Sequence, residues 1–384
     1  MRAGLWLVAV LGYVVQTKTL SHVYNVSYET QQQRPTQQDV LYLLFVHLSS
    51  WILVAPLTQL CSRVKDRLEG RSGSWAFSAV AVGAELLGAD NDGRSRPNRT
   101  LASHFRQLVQ ITTLSLLLVI AGYTFFVALG LSPAVDVAIM HGTSMFEIVS
   151  LLLVVMGLAP GKKLGRSFAF MLIVLTGIFI VSYTKGTCDL LAGKLSVNEA
   201  TGELDDPFLF DRLKGALTCG LGALTIGPFF VLWNKWSAAS PNESTTSIRP
   251  FLTHAERSCI SNIEISQLGI ANLLIVGPML FLASAGRPFA QNSTLSSSAF
   301  MLLSVFAGHL PMIWAMVHLS DRVSLQFTST CFVGFIVFTA LADCIFDSAH
   351  VVVTRWEVIG YLLISVAGLL LGRHHLAKAY SRDA

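Results

Sequence analysis

Charge is what this sequence has least of. Asp, Glu, Lys and Arg make up 13% of its 384 residues, about half the share of an ordinary soluble domain. Hydrophobic residues make up 53%, and the mean hydropathy is +0.58. A surface that faces water on every side cannot be built from this composition. Cysteine chemistry is scarce too: Cys61, Cys188, Cys219, Cys259, Cys331 and Cys344 form no CxxC pair and no ligand spacing. Several lie inside apolar runs, so they read as packing residues and no metal is called for. There is no HExxH, no GxGD and no Walker A, and His309 and His318 fit no zinc-helix spacing. These absences argue against an enzyme, a bound cofactor or an ATP-driven pump in this chain. The net charge of +4 is spread through short loops without an aromatic-interleaved basic patch, so nucleic acid is not an expected partner.

What remains is long apolar runs, repeated from end to end, which make the lipid bilayer the chain's solvent. Ten segments stand out: 3–23, 39–60, 107–129, 134–157, 164–184, 213–234, 262–284, 298–319, 322–345 and 355–372. The expected fold class is an all-α membrane protein of ten transmembrane helices. The first run follows a short basic start but lacks a convincing small-residue cleavage site, so it reads as a retained helix. The short run 73–89 contains Glu85 and reads as loop, with an interfacial helix as its structured form.

An even number of spans puts both termini on one side. On that side lie eight basic residues between the second and third spans (Arg63, Lys65, Arg67, Arg71, Arg94, Arg96, Arg99 and Arg106), together with most of the others outside helix centres. The opposite side has only Lys18, Arg34, Lys185, Lys194, Arg212, Lys214, Arg287 and Arg355. The positive-inside rule therefore places both ends in the cytosol. Of the sequons at Asn25, Asn98, Asn242 and Asn292, this topology leaves Asn25 and Asn292 lumenal, close to the membrane.

The halves resemble each other. The pattern Leu131, Ser132, Val135 returns as Leu319, Ser320, Val323, and "MLIVLTGIFIV" (171–181) sits against "YLLISVAGLLL" (361–371), with Gly177 over Gly368. A repeat of five spans is odd in number, so the second copy enters the bilayer inverted. The expected units are 1–190 and 191–384.

The stretch 123–184, "GYTFFVALGLSPAVDVAIMHGTSMFEIVSLLLVVMGLAPGKKLGRSFAFMLIVLTGIFIVSYT", resembles the third to fifth helices of the drug/metabolite transporter (DMT/EamA) superfamily. Residues 338–372, with "LAD" and the spacing of Gly360 and Gly368, resemble its ninth and tenth. "SQLGIANLLIVGP" (266–278) is similar to a seventh helix of the nucleotide-sugar-transporter-like solute carrier family 35, in its F-type and fungal vacuolar branch. The resemblance implies a secondary carrier working by alternating access. Spans 1–4 and 6–9 would line its cavity, spans 5 and 10 would be peripheral, and the membrane would be the Golgi, the vacuole or another endomembrane rather than the plasma membrane. It leaves room for a homodimer.

The ionisable residues inside the spans are the candidate site. Glu147 stands near the middle of its segment, where an unpaired carboxylate costs at least about 2.5 kcal/mol. It reads as a substrate or proton site, against a protonated Glu bonded to a neighbouring helix. Asp136, eleven residues earlier, falls on the same stripe of one continuous helix and reads as a cap. His47, His141 and His309 join Glu147 and Asn272 as substrate contacts, against the reading of helix-to-helix hydrogen bonds, and Glu264 joins Glu147 in proton coupling. Apart from Lys18, no Lys or Arg lies deep in a span. An acidic, histidine-bearing interior favours a small cationic or neutral substrate over a nucleotide sugar. The alternatives are a nucleotide-sugar antiporter, or a membrane enzyme or sensor that moves nothing across.

Overall fold

A computed structural model describes residues 2–31, 37–68, 101–155, 164–191, 207–236, 254–283, 295–346 and 355–383. Among the described residues every regular element is helical. In chain order these are α1 (Arg2–Gln31), α2 (Gln37–Ser49), a 3₁₀ turn (Ser50–Leu53), α3 (Val54–Leu68), α4 (Leu101–Leu131), α5 (Ala134–Gly142), α6 (Ser144–Val155), α7 (Leu164–Leu191) and α8 (Pro207–Trp236). There follow α9 (His254–Ala283), α10 (Leu295–Leu303), a π segment (Ser304–His309), α11 (Leu310–Arg322), α12 (Leu325–Thr328), α13 (Thr330–Phe346) and α14 (Arg355–Asp383). The 73–89 run and the sequons at Asn98, Asn242 and Asn292 lie outside the described residues, while Asn25 is exposed on α1.

Eight helical runs are long and apolar enough to cross a membrane: Arg2–Asn25, Gln37–Val64, Phe105–Leu131, Lys214–Trp236, Ser258–Ala283, Ser298–Arg322, Leu325–Phe346 and Arg355–Arg373. Of the ten expected spans, 164–184 contributes a shorter apolar helix, Ala169–Val181. The expected span 134–157 is broken. The Thr143 N–H reaches back only three residues to the Met140 carbonyl (3.2 Å), and the Thr143 hydroxyl donates to the same oxygen (2.6 Å). The α ladder is interrupted there, so Asp136 belongs to α5 and Glu147 to α6, and the two do not share one continuous helix.

Large apolar side chains line both the inside and the outside of the bundle. Leu217, Leu221 and Leu224 of α8, Ile270 and Leu274 of α9, and Leu362, Val366 and Leu369 of α14 are exposed, while Phe126, Met145, Ile265 and Phe335 are buried. Helices apolar all round suit a solvent that is itself hydrocarbon. The outward Thr113, Thr176 and Thr218 each return the hydroxyl to a carbonyl four residues back, so none presents a bare donor to lipid. The chain is an integral multi-pass membrane protein.

Without a hydrophobic force between helices, close approach of small residues does the packing. Gly215 and Gly222 bring α8 onto α4, where an added Cβ would run into the hydroxyls of Ser132 and Thr124. Gly12 and Gly308 do the same where α1 crosses the π segment, a Cβ on Gly12 standing 2.7 Å from the Gly308 carbonyl oxygen. On α7 and α14 the contact is reciprocal: a Cβ on Gly177 would stand 3.0 Å from the Gly360 carbonyl, and one on Gly360 would stand 3.0 Å from the Gly177 carbonyl. Gly177 therefore faces Gly360, while Gly368, which the sequence alignment set against it, packs on Val333 of α13. The principal pairings are α4 with α8, α1 with α11, α7 with α14, α2 with α9 and α5 with α13.

Candidate functional site

A set of buried polar groups lies where α1, α2 and the π segment meet. Its origin is Pro311: without an N–H, it leaves the Ala307 carbonyl without its α partner, and the Leu310 N–H bonds instead to Val305, five residues back. The widened turn carries Ser304 and His309 inward. Gln16 of α1 lies across it, and the Gly12–Gly308 contact sets the distance.

Each hydrogen bond here has only one direction. The Trp51 indole can only donate, and its Nε1 lies 2.7 Å from His309 Nε2, which must therefore accept. The His309 proton is then on Nδ1, which donates to Gln16 Oε1 at 3.3 Å. For His47, Nδ1 donates to the Leu43 carbonyl at 2.8 Å, and Nε2 accepts from the Ser304 hydroxyl at 2.9 Å. Both rings are Nδ1–H tautomers with both nitrogens engaged, their centroids 5.4 Å apart. His47 is wholly buried and His309 is 7% exposed. The structure brings these two expected site residues together, and each bonds to another segment.

The other expected site residues are dispersed. His141 of α5 lies beside Tyr13 of α1, whose hydroxyl is 3.4 Å from its Nδ1, and its ring stacks on Phe125 at 5.1 Å. Its Nε2 has no hydrogen-bond partner among the described residues. Phe125 and Phe126 of α4 bridge the two histidine regions, Phe126 lying 4.9 Å from the His47 ring. Asn272 of α9 is buried and accepts at Oδ1 from the Ser115 hydroxyl of α4. Glu147, half-buried on α6, packs against Gly227 just before Pro228 of α8, while the Ser144 hydroxyl donates to the Ala223 carbonyl at 3.2 Å. Glu264 is half-buried on α9. Among the described residues no group of three or more His, Cys, Asp or Glu is arranged to hold a metal ion.

Two further polar groups escaped the sequence reading. His318 Nε2 and Asn262 Oδ1 are 2.9 Å apart, and Asn262 Nδ2 donates to Thr58 Oγ1 at 3.1 Å, tying α11, α9 and α3. Beside them the Ser261 hydroxyl donates to Asp321 at 2.6 Å. A polar pair, Ser261–Asn262, inside an apolar run was the available signal. Lys18 of α1 forms an ion pair with Asp343 of α13, so the one cation deep in a span is neutralised within the protein.

Comparison with known proteins gives three results. A family described as CSG2, ceramide synthase regulator, matches residues 1–375. A protein of Saccharomyces cerevisiae (strain ATCC 204508 / S288c), described as mannosyl phosphorylinositol ceramide synthase regulatory protein CSG2, is 33% identical over 416 residues, covering 97% of this chain and 98% of its own. A solved crystal structure, described only as that of a protein, superposes over the whole of both chains with a TM-score of 0.51 at 12% identity, which concerns the fold alone. The first two findings overturn the expected membership of the drug/metabolite transporter superfamily and of solute carrier family 35, and with it the reading as a secondary carrier of a small substrate. The misleading motifs were glycines, short turns and an "LAD" tripeptide. Such residues report how closely helices pack, and any tightly packed polytopic protein needs them.

Proposed function

Because the chain belongs to the ceramide synthase regulator family, we propose that it is a regulatory membrane subunit of a mannosyl phosphorylinositol ceramide synthase. The observation that carries this reading is the 33% identity to the regulatory protein over nearly the whole of both chains. Of the alternatives that the sequence left open, a membrane protein that moves nothing across its bilayer fits this kinship. The partner is a protein, the synthase, and the chain itself performs no catalysis.

Within this reading the architecture is ten spans in two inverted halves, 1–190 and 191–384. The pairings support it: exchanging the halves turns the α4–α8 contact into α11–α1 and maps α2–α9, α5–α13 and α7–α14 onto themselves. Both termini face the cytosol, by the distribution of Lys and Arg. The test is co-purification. The tagged chain, solubilised in mild detergent, is expected to bring down the synthase, and recovery of the synthase at the level of an untagged control would dismiss the reading.

A further inference from the structure

The hydrogen bonds around His309 join three segments that are remote in sequence. Trp51 belongs to the turn between α2 and α3, His309 to the π segment and Gln16 to α1. The relay runs one way: an obligate donor at Trp51 Nε1, an acceptor at Nε2, a donor at Nδ1 and an acceptor at Gln16 Oε1. Removing any member leaves a polar atom bare within the bilayer, where no water replaces it. A second bond, from Ser304 to His47, closes the same junction from the α2 side. The backbones of α1 and the π segment touch there at Gly12 and Gly308, so the junction has no slack.

We infer that His309 is a latch that holds α1, the α2–α3 span and the π-bulged helix as one closed unit, so that the protein works as a fixed scaffold. This deepens the regulatory reading in one respect. A partner has to be met by the outer faces or the ends of the helices, because the junction at the centre does not open. The latch itself is a property of this chain alone, and its test needs no partner.

Two native thiols serve as reporters. Cys331 is wholly buried on α13 beside Thr330, whose hydroxyl accepts from Trp6 of α1 at 3.1 Å, so it becomes accessible when α1 leaves its seat. Cys219 is buried on α8 against the Val137 carbonyl of α5, and neither of these helices is tied by the latch. In purified full-length protein with Cys61, Cys188, Cys259 and Cys344 replaced by serine, labelling by N-ethylmaleimide is followed by mass spectrometry. Trp51→Phe keeps an aromatic ring and removes the donor. It is expected to speed labelling of Cys331 by roughly tenfold, leave Cys219 protected and lower the melting temperature by a few degrees. Gln16→Leu, which removes the acceptor at the other end, gives the same selective labelling. Adding Trp51→Phe to a His309→Phe background slows the labelling of Cys331 again in part, because it removes the donor that His309→Phe leaves bare. Unchanged labelling of Cys331 in both single variants overturns the inference, as does labelling of Cys219 and Cys331 at one common rate, which reports general loosening.

Discussion

A histidine or asparagine in hydrocarbon has more polar atoms than one neighbour can satisfy, and its position is fixed by the set of helices that can supply the rest. Asn262 links Thr58 of α3 with His318 of α11. Asn262→Leu strips both partners at once and is expected to cost about 1–3 kcal/mol, read as a lower midpoint in thermal denaturation of the detergent-solubilised protein. At Gly227 the mechanism is steric, since an added Cβ would stand 2.7 Å from Glu147 Cβ and 2.8 Å from Oε2. Gly227→Ala should cost about 1–3 kcal/mol by overpacking, and in the Glu147→Gly background, which removes both atoms, the same change should cost measurably less, which a double-mutant cycle checks. The sequence showed which ionisable residues lie in apolar segments, because type and neighbours suffice for that. It could not show that His47 meets Ser304 and His309 meets Trp51, because those pairs are separated by 257 and 258 residues.

At the scale of elements, the apolar runs located nearly all of the helices, since a segment that must close its own backbone bonds in lipid has only one regular way to do it. Interruptions were less legible. In the eighth segment Pro311 is a visible cause of a break, and the π turn lies immediately before it. Thr143 gave no such warning, since a threonine in an apolar helix more often bonds back to its own turn without breaking it, as Thr17 and Thr124 do. The aligned L-S-x-x-V motifs also differ in place: Ser132 links α4 to α5, whereas Ser320 lies within α11. For the α7–α14 pair, Gly177→Leu and Gly360→Leu press on the same contact from opposite sides. Each is expected to destabilise the protein by about 1–3 kcal/mol, and the double variant by clearly less than the sum, since the first already separates the helices. Full additivity in thermal unfolding would mean that the two glycines do not share one crossing.

For the whole molecule, hydropathy and charge gave a multi-pass membrane protein and motif likeness gave the wrong family. Composition reports the solvent directly, whereas glycine spacing reports helix contact and is shared by proteins of unrelated activity. The proposed orientation predicts that epitope tags at either terminus are cleaved by protease added to sealed vesicles with the cytosolic face outward. Protection of one tag alone would break the even span count. The regulatory account itself meets its most direct test in membranes from cells that lack this chain, to which the chain is restored, with mannosyl transfer to phosphorylinositol ceramide as the reading. Transfer is predicted to fall sharply without the chain and to recover with it, at unchanged amounts of substrate lipid. Equal rates of transfer with and without the chain would contradict the account.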